Sequence, residues 1–192
     1  PDHSRGWGIV SLGSLPSSIV AIRGHWAEPA IDWAFTTGIT SACPTGEAKE
    51  GSTCPDLPVT RDEMAQFMWR SKDQPAPSVA AAFDDVPTNA AFSTAVDWLV
   101  EETITLGCTP TTYCPDETVT RAEMAVFLWR LEGSPEGSPP ASFMDVPASS
   151  FAGSAVDWLL DSGTTMGCTS TNYCPQEHVT RAEIFTFLER LD

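Results

Sequence analysis

Three arginines recur at the first position of a predicted helix, where a positive charge is the unexpected choice. Arg61, Arg121 and Arg181 stand sixty residues apart, each directly after a threonine. The amides at a helix N-terminus already carry partial positive charge, which disfavours a cation there by roughly a few tenths of a kcal/mol. We therefore expect a compensating negative partner. Either a carboxylate of a neighbouring repeat pairs with each arginine, or the arginine and free helix amides together bind an anionic ligand.

Six cysteines fall into three closely spaced pairs. Pairing inside each repeat is the simplest of the fifteen possible connectivities, and it gives Cys43–Cys54, Cys108–Cys114 and Cys168–Cys174. A zinc site needs four ligands, and no second cysteine pair or pair of histidines lies close to any of these cysteines; His178, four residues after Cys174, would supply only a third ligand. Disulfides are therefore favoured over metal binding, and they predict an oxidising, extracytoplasmic location.

The remaining polar residues do not form a recognisable catalytic set. The histidines His3, His25 and His178 are not repeat-equivalent, and no nucleophile motif or phosphate-binding loop is present. We therefore predict that the chain is not an enzyme and that it uses no cofactor and no metal. Calcium bridging between acidic surfaces stays open as an alternative, although the acidic residues lack the spacing of an EF-hand loop.

Charge and hydropathy exclude two classes of partner. The chain of 192 residues has 10 Lys and Arg against 26 Asp and Glu, a net charge of −16, so phosphate-rich nucleic acids and bare anionic lipids would be repelled. The longest apolar runs are far shorter than the roughly 18 residues that span a bilayer. Nucleic-acid binding and membrane insertion are therefore not expected.

Two aromatic side chains are candidates for contact with a sugar ring. Trp26 and Tyr113 lie outside the helical apolar pattern, so an indole or phenol face could stack on a sugar. The other repeat-related tryptophans have helical spacing and are predicted to be core residues. Asp85 and Asp145 precede a Val-Pro pair and are predicted to cap a turn rather than bind a metal.

A sixty-residue repeat must position all of these residues. Val-Thr-Arg occurs at 59, 119 and 179, and Asp-Trp at 32, 97 and 157 precedes the first cysteine of each pair by a constant interval. Proline-rich and serine-rich segments separate the repeats. We predict an N-terminal segment at 1–18 and three repeats at 19–73, 83–132 and 143–192. Linkers at 74–82 and 133–142 separate the repeats.

Each repeat is predicted to contain two helices joined by a loop that the cysteines close. The second helix begins with a capping box, in which a threonine and a glutamate three residues later exchange hydrogen bonds with each other's backbone. Arginines near the end of this helix are favoured by the helix dipole and need no further role; they are Arg70, Arg130 and Arg190. The capping pairs are Thr60 with Glu63, Thr120 with Glu123, and Thr180 with Glu183.

These motifs together resemble the S-layer homology (SLH) repeat. The shared features are an aromatic-x-Asp-Val start, a helix with Asp-Trp, a glycine-containing loop such as Leu106-Gly107, and Thr-Arg-Ala-Glu-Met-Ala at 120–125. Three such repeats cover nearly the whole chain, and the cysteine-closed loop resembles an actinobacterial-type variant. The resemblance implies an all-α fold in which three helix-loop-helix repeats form a three-pronged pseudo-trimer around a central three-helix bundle.

The resemblance also implies a function at the cell surface. SLH modules anchor exported proteins non-covalently to cell-wall polysaccharide, often an acidic polymer with pyruvate ketals, and a fused passenger domain is then expected. The motif arginines would contact the carboxylate of the ligand in grooves between the prongs, and Gly107 and Gly167 would let the polymer approach. Repeat 1 departs from the pattern at Ala42 and Asp62, and repeat 3 at Phe185, so not all three grooves need bind.

A structural role is the alternative function. The same repeats could assemble with copies of themselves into a surface layer or filament, in which case the grooves would meet protein rather than glycan. Concentration-dependent sedimentation distinguishes the two functions.

Overall fold

Six α-helices and no strands make up the part of the chain that the computed structural model describes, which is residues 22–40, Cys43 and residues 53–192. The predicted all-α class is confirmed. The N-terminal segment 1–18 and Ala42 lie outside the described residues. The helices are α1 (Glu28–Thr36), α2 (Arg61–Ser71), α3 (Ser93–Glu101), α4 (Arg121–Leu131), α5 (Gly153–Asp161) and α6 (Arg181–Leu191).

The longer second helices, α2, α4 and α6, begin at a threonine as predicted. In α4 the Glu123 amide donates to the Thr120 hydroxyl at 3.3 Å, and the Thr120 amide donates to the Glu123 carboxylate at 2.9 Å. Thr180 and Glu183 repeat this capping box in α6. The box in α2 is looser, because the Thr60 hydroxyl donates to Asp62 at 2.5 Å and the Thr60 amide is 3.4 Å from Glu63.

The helices pack between repeats. Helix α3 packs against α2, α5 against α4, and α1 against α6. Each first helix therefore packs against the second helix of the preceding repeat, and repeat 1 closes the cycle against repeat 3. Since these pairings join helices of different repeats, the described residues of the three repeats share one core.

A triangle of backbone hydrogen bonds joins the starts of the three second helices. The Val119 amide donates to the Val59 carbonyl, Val179 donates to Val119, and Val59 donates to Val179, over 2.9–3.0 Å. At their other ends, the side chains of Ser71, Leu131 and Leu191 line one small cavity. Both ends of α2, α4 and α6 thus converge, which is compatible with the predicted central bundle.

The three predicted disulfides are present. Cys43 pairs with Cys54, Cys108 with Cys114, and Cys168 with Cys174, and their Cα atoms lie 5.4–6.1 Å apart. In repeats 2 and 3, a half-buried carboxylate contact fixes the same loop. Asp85 accepts hydrogen bonds from the amides of Tyr113 and Cys114, each at 2.7 Å, and Asp145 does the same in repeat 3. The predicted turn-capping role of these aspartates is therefore wrong, because their oxygens hold the distant loop.

Candidate functional site

Each motif arginine forms an ion pair with the capping-box glutamate of another repeat. The distance from Arg61 to Glu123 is 3.4 Å and that from Arg121 to Glu183 is 2.5 Å; Arg181 pairs with Glu63 and closes the cycle. All three arginines are buried. The neighbouring carboxylate is therefore the compensating partner that the structure shows. Each glutamate thereby binds a helix start with one oxygen and an arginine with the other.

The helix amides beside these arginines are not free to bind an anion. The Arg61 and Asp62 amides donate to the carbonyls of Glu117 and Pro115 in the loop of repeat 2, at 2.9 and 3.0 Å. The equivalent amides of α4 and α6 donate to the loops of repeats 3 and 1. The hypothesis that free helix amides complete an anion site is therefore wrong, because the neighbouring loop already satisfies them.

Tyr113 lies beneath Arg61 rather than at the surface. It is completely buried, its hydroxyl donates to the Arg61 carbonyl at 2.8 Å, and its ring centroid lies 5.0 Å from the guanidinium carbon. Tyr173 holds Arg121 in the same way. Burial raises the pKa of both phenols well above the usual range. The prediction that Tyr113 stacks on a sugar needs correction, because its faces are covered by protein.

Arg61 forms the floor of an open groove, which we call groove A. Its cavity of about 210 Å³ contains three features in sequence order along repeat 2: the Leu106-Gly107 loop, Glu123, and Arg130 at the end of α4. Phe151 of repeat 3 forms the opposite rim. The structure therefore brings predicted residues Arg61 and Gly107 together, and all three repeats contribute to the groove.

Arg121 occupies the equivalent place in groove B. This cavity of about 170 Å³ is bounded by the Met166-Gly167 loop, Glu183 and Arg190 of repeat 3, and by Trp26 of repeat 1. Groove B thus unites three of the predicted site residues: Arg121, Gly167 and Trp26. In each groove, two arginines face one glutamate, which makes both grooves locally positive on a protein whose net charge is −16.

The groove glycines are required by the backbone itself. Gly107 has φ +80°, and a Cβ there would lie 2.6 Å from the carbonyl oxygens of Thr109 and Thr112. Gly167 has φ +82° and similarly short distances to its own loop. A side chain at either position would therefore strain the disulfide-closed loop, whatever approaches from solvent.

Phe151 and the groove contacts of Arg130 and Arg190 escaped the sequence prediction, whereas Trp26 was a predicted site residue. Phe151 and Trp26 are 71% and 62% exposed, and both stand six residues before the aspartate of an Asp-Trp pair, where repeat 2 has Ala91. Counting back from Asp-Trp would have revealed this equivalence. Arg130 and Arg190 were assigned only to the helix dipole, although each reaches a groove and donates to a loop carbonyl, Ile104 at 3.1 Å and Thr164 at 2.6 Å.

The third arginine site is more deeply buried than either groove. We define it by Arg181, Glu63, Gln66 and Arg70. The Glu63 side chain is 12% exposed, against 36% for Glu123 and 25% for Glu183, and Arg70 donates to Gln66 at 3.0 Å. Burial raises the pKa of Glu63, opposed by the charge of Arg181, and burial lowers the pKa of Arg181.

The part of the chain that the structure describes contains neither a cluster of metal ligands nor a membrane-spanning helix. Within residues 22–40, 43 and 53–192, no three histidine, cysteine or acidic side chains are grouped as metal ligands would be. None of the six helices there has the length and apolar character needed to cross a membrane.

Comparison with known proteins points to one family. Residues 82–125 and 142–185 each match the family model described as the S-layer homology domain. The chain is also similar to an endo-1,4-beta-xylanase A of Thermoanaerobacterium saccharolyticum, with 27% identity over 149 residues. That similarity covers 77% of this chain but only 12% of the xylanase. The two matched segments are repeats 2 and 3, which supply most of the residues of grooves A and B.

Proposed function

We propose that grooves A and B bind acidic units of a cell-wall polysaccharide and that the chain acts as a surface anchor without chemistry of its own. The observation that carries this proposal is the duplicated groove, in which two arginines face one glutamate beneath an apolar rim. The match of repeats 2 and 3 to the S-layer homology family supports it, because such modules bind the cell wall.

Local charge explains how an acidic protein attracts an acidic polymer. Long-range repulsion at net charge −16 is screened beyond about 8 Å at physiological salt. Within that distance, a ligand carboxylate in groove A meets Arg130 directly and Arg61 at the floor, where Glu123 neutralises only one of the two cations. Guanidinium groups bind carboxylates with paired hydrogen bonds, and a pyruvate ketal would supply such a carboxylate.

The rims suit a sugar ring. Phe151 in groove A and Trp26 in groove B offer large exposed aromatic surfaces beside the cations. The cavities are smaller than the roughly 300–1,000 Å³ typical of sites for drug-sized ligands, so each would hold only a short stretch of polymer. The third repeat boundary has Ala91 at this position, and we infer that binding takes place in grooves A and B.

A passenger domain fused to this module would be the part of the exported protein that the module anchors. This chain spans 12% of the length of the xylanase that it resembles, which supports a role as one part of a larger exported protein. The three disulfides support an extracellular location.

Binding to purified wall tests the proposal. The chain should co-sediment with cell walls and lose this ability once the acidic polymer is extracted. The double variant Arg130→Ala/Arg190→Ala should bind at least about tenfold more weakly, since a charge-assisted pair is lost in each groove. Arg70→Ala, at the equivalent position of α2, is the matched control and should bind like the natural sequence.

Two outcomes would contradict the proposal. Equal co-sedimentation of the double variant would show that the grooves do not carry the interaction. Self-association of the chain without polymer, detected as concentration-dependent sedimentation and abolished in the same double variant, would favour assembly into a layer instead.

A further inference from the structure

The disulfide-closed loops hold the arginines of the grooves. Tyr113 immediately precedes Cys114, and its carbonyl accepts the Nε–H of Arg61 at 2.8 Å. Tyr173 precedes Cys174 and accepts the Nε–H of Arg121 at 2.9 Å. In repeat 1, Thr53 precedes Cys54 and accepts from Arg181 at 2.8 Å. The same position of the loop therefore meets an arginine of another repeat three times.

Contact between loop and arginine is extensive in repeats 2 and 3. Tyr113 touches Arg61 at three points: its carbonyl binds Nε, its ring lies against the guanidinium, and its hydroxyl binds the Arg61 carbonyl. Tyr113 thus contacts the Nε, the guanidinium plane and the backbone carbonyl of Arg61, which leaves this arginine little conformational freedom. A displacement of Tyr113 would consequently move the cation at the floor of groove A.

The other end of the same loop is the wall of the groove. Gly107 lines groove A and is bonded to Cys108, which the disulfide joins to Cys114 beside Tyr113. The Cys108–Cys114 disulfide thus connects the wall of groove A to Tyr113, the residue that holds Arg61. Gly167, Cys168, Cys174 and Tyr173 have the same arrangement around groove B.

We propose that Cys108–Cys114 and Cys168–Cys174 are positioning disulfides, each of which sets the guanidinium of its own groove for anion binding. The inference rests on the proposed function of grooves A and B. The link fixes the distance between groove wall and arginine, so removing it lowers affinity in that groove alone. A disulfide that served only as a staple would lower the stability of the protein and leave both grooves equally affected.

The fold should survive the loss of one link. Asp85 still accepts the amides of Tyr113 and Cys114, and the Val119 amide still donates to Val59. A ring of seven residues constrains the unfolded chain less than a long ring would, so its loss costs comparatively little stability. The two disulfides close rings of the same size, so their removal should cost similar stability, which makes each double variant the matched control for the other.

The experiment compares Cys108→Ser/Cys114→Ser with Cys168→Ser/Cys174→Ser by NMR titration. The probe is a methyl glycoside carrying a pyruvate ketal, with the neutral methyl glycoside as a blank. The amides of Gly107 and Gly167 report binding in grooves A and B, and the Nε–H signals of Arg61 and Arg121 report the position of each guanidinium. The first variant should lose about tenfold in affinity in groove A and shift the Arg61 signal, with groove B unchanged. The second variant should do the reverse.

A further pair of variants keeps the disulfides intact. In Asp85→Asn, one side-chain oxygen remains to accept the amides of Tyr113 and Cys114, which two oxygens accept in the natural sequence. This variant should therefore shift the Arg61 Nε–H signal. Asp145→Asn should shift the Arg121 signal in the same way. These variants test the positioning by the loop if a serine variant does not fold.

The outcomes separate the two proposals. If the natural sequence binds no probe and no acidic wall polymer, the proposed function fails, and the Nε–H signals still test the positioning. If the natural sequence binds but the serine and asparagine variants retain its affinities and its arginine signals, the positioning role is overturned. An equal loss of affinity in both grooves of either serine variant also overturns the positioning role, because it indicates that the disulfide only stabilises the protein as a whole.

Discussion

Groove A and the third arginine site contain the same ion pair in different surroundings. In groove A the Arg61–Glu123 pair borders an open cavity, and Tyr113 supports the guanidinium from below. In the third site, Phe67 and Phe185 flank Arg181, with ring centroids 5.0 and 5.8 Å from the guanidinium carbon. Phe185 occupies the place of the alanines at 65 and 125. The comparison shows how one repeated motif supplies both a structural contact and the floor of a candidate binding site.

The largest expected difference between the two sites is in stability. Arg181→Ala leaves Glu63 buried and unpaired, which should lower the free energy of unfolding by about 3–5 kcal/mol. Arg61→Ala should cost less, because Glu123 is more exposed and water can solvate it. Urea denaturation measures both values. A cost for Arg61→Ala equal to or above that for Arg181→Ala would show that burial of the carboxylate does not distinguish the sites.

The next effect concerns the exposed aromatic rims of grooves A and B, at the position where repeat 2 has Ala91. Trp26→Ala and Phe151→Ala should each weaken polymer binding by about fivefold to tenfold, since covering roughly 40 Å² of aromatic surface contributes about 1 kcal/mol. Phe35→Ala removes another exposed ring, one that does not line either groove, and serves as the control. Calorimetry with extracted wall polymer gives the affinities. Equal losses of affinity in all three variants would show that the two rim residues do not contact the polymer specifically.

A smaller difference is expected between the starts of α4 and α2. Thr120→Ala removes a hydroxyl that accepts the Glu123 amide and should cost about 1 kcal/mol of stability. Thr60→Ala should cost less, because the capping box of α2 is looser and the Thr60 hydroxyl also donates to Asp62. Thermal unfolding of the two variants provides the comparison. An equal loss in both would mean that the hydrogen bond to Asp62 does not weaken the cap at Thr60.

The elements that the sequence predicts well are local ones. The capping residues and the disulfides lie within a few residues of each other, so their spacing alone identifies them. The sixty-residue period adds their equivalence between repeats. These features were enough to predict the helix starts and the cysteine pairs, since they depend little on how the repeats pack together.

Contacts between residues far apart in the sequence were the source of the errors. The burial of Tyr113 depends on Arg61, which lies 52 residues earlier, and the partner of Asp85 lies 28 residues later. Phe151 reaches a groove whose other residues come from repeats 1 and 2. None of these distances follows a periodicity within one helix, so only the packing of the whole chain reveals them.

The smallest expected effect follows from the pH dependence of the third site. Burial raises the pKa of Glu63 in the folded chain above its value in the unfolded chain. The folded state therefore favours the neutral carboxyl, and this contribution to stability is present at low pH and lost as the pH rises through the pKa of the folded state. Glu63→Gln remains neutral, so its stability relative to the natural sequence should rise between about pH 4 and about pH 7.

Urea denaturation at both pH values checks this sign, with exposed Glu102→Gln as the control for overall charge. The opposite trend would be a fall in the stability of Glu63→Gln relative to the natural sequence as the pH rises. It would mean that attraction to Arg181 outweighs the cost of burying the Glu63 carboxylate. The third site would then behave as a favourable ion pair despite its burial. Burial alone would no longer explain why Glu63 and Arg181 differ from the pairs that border the two grooves.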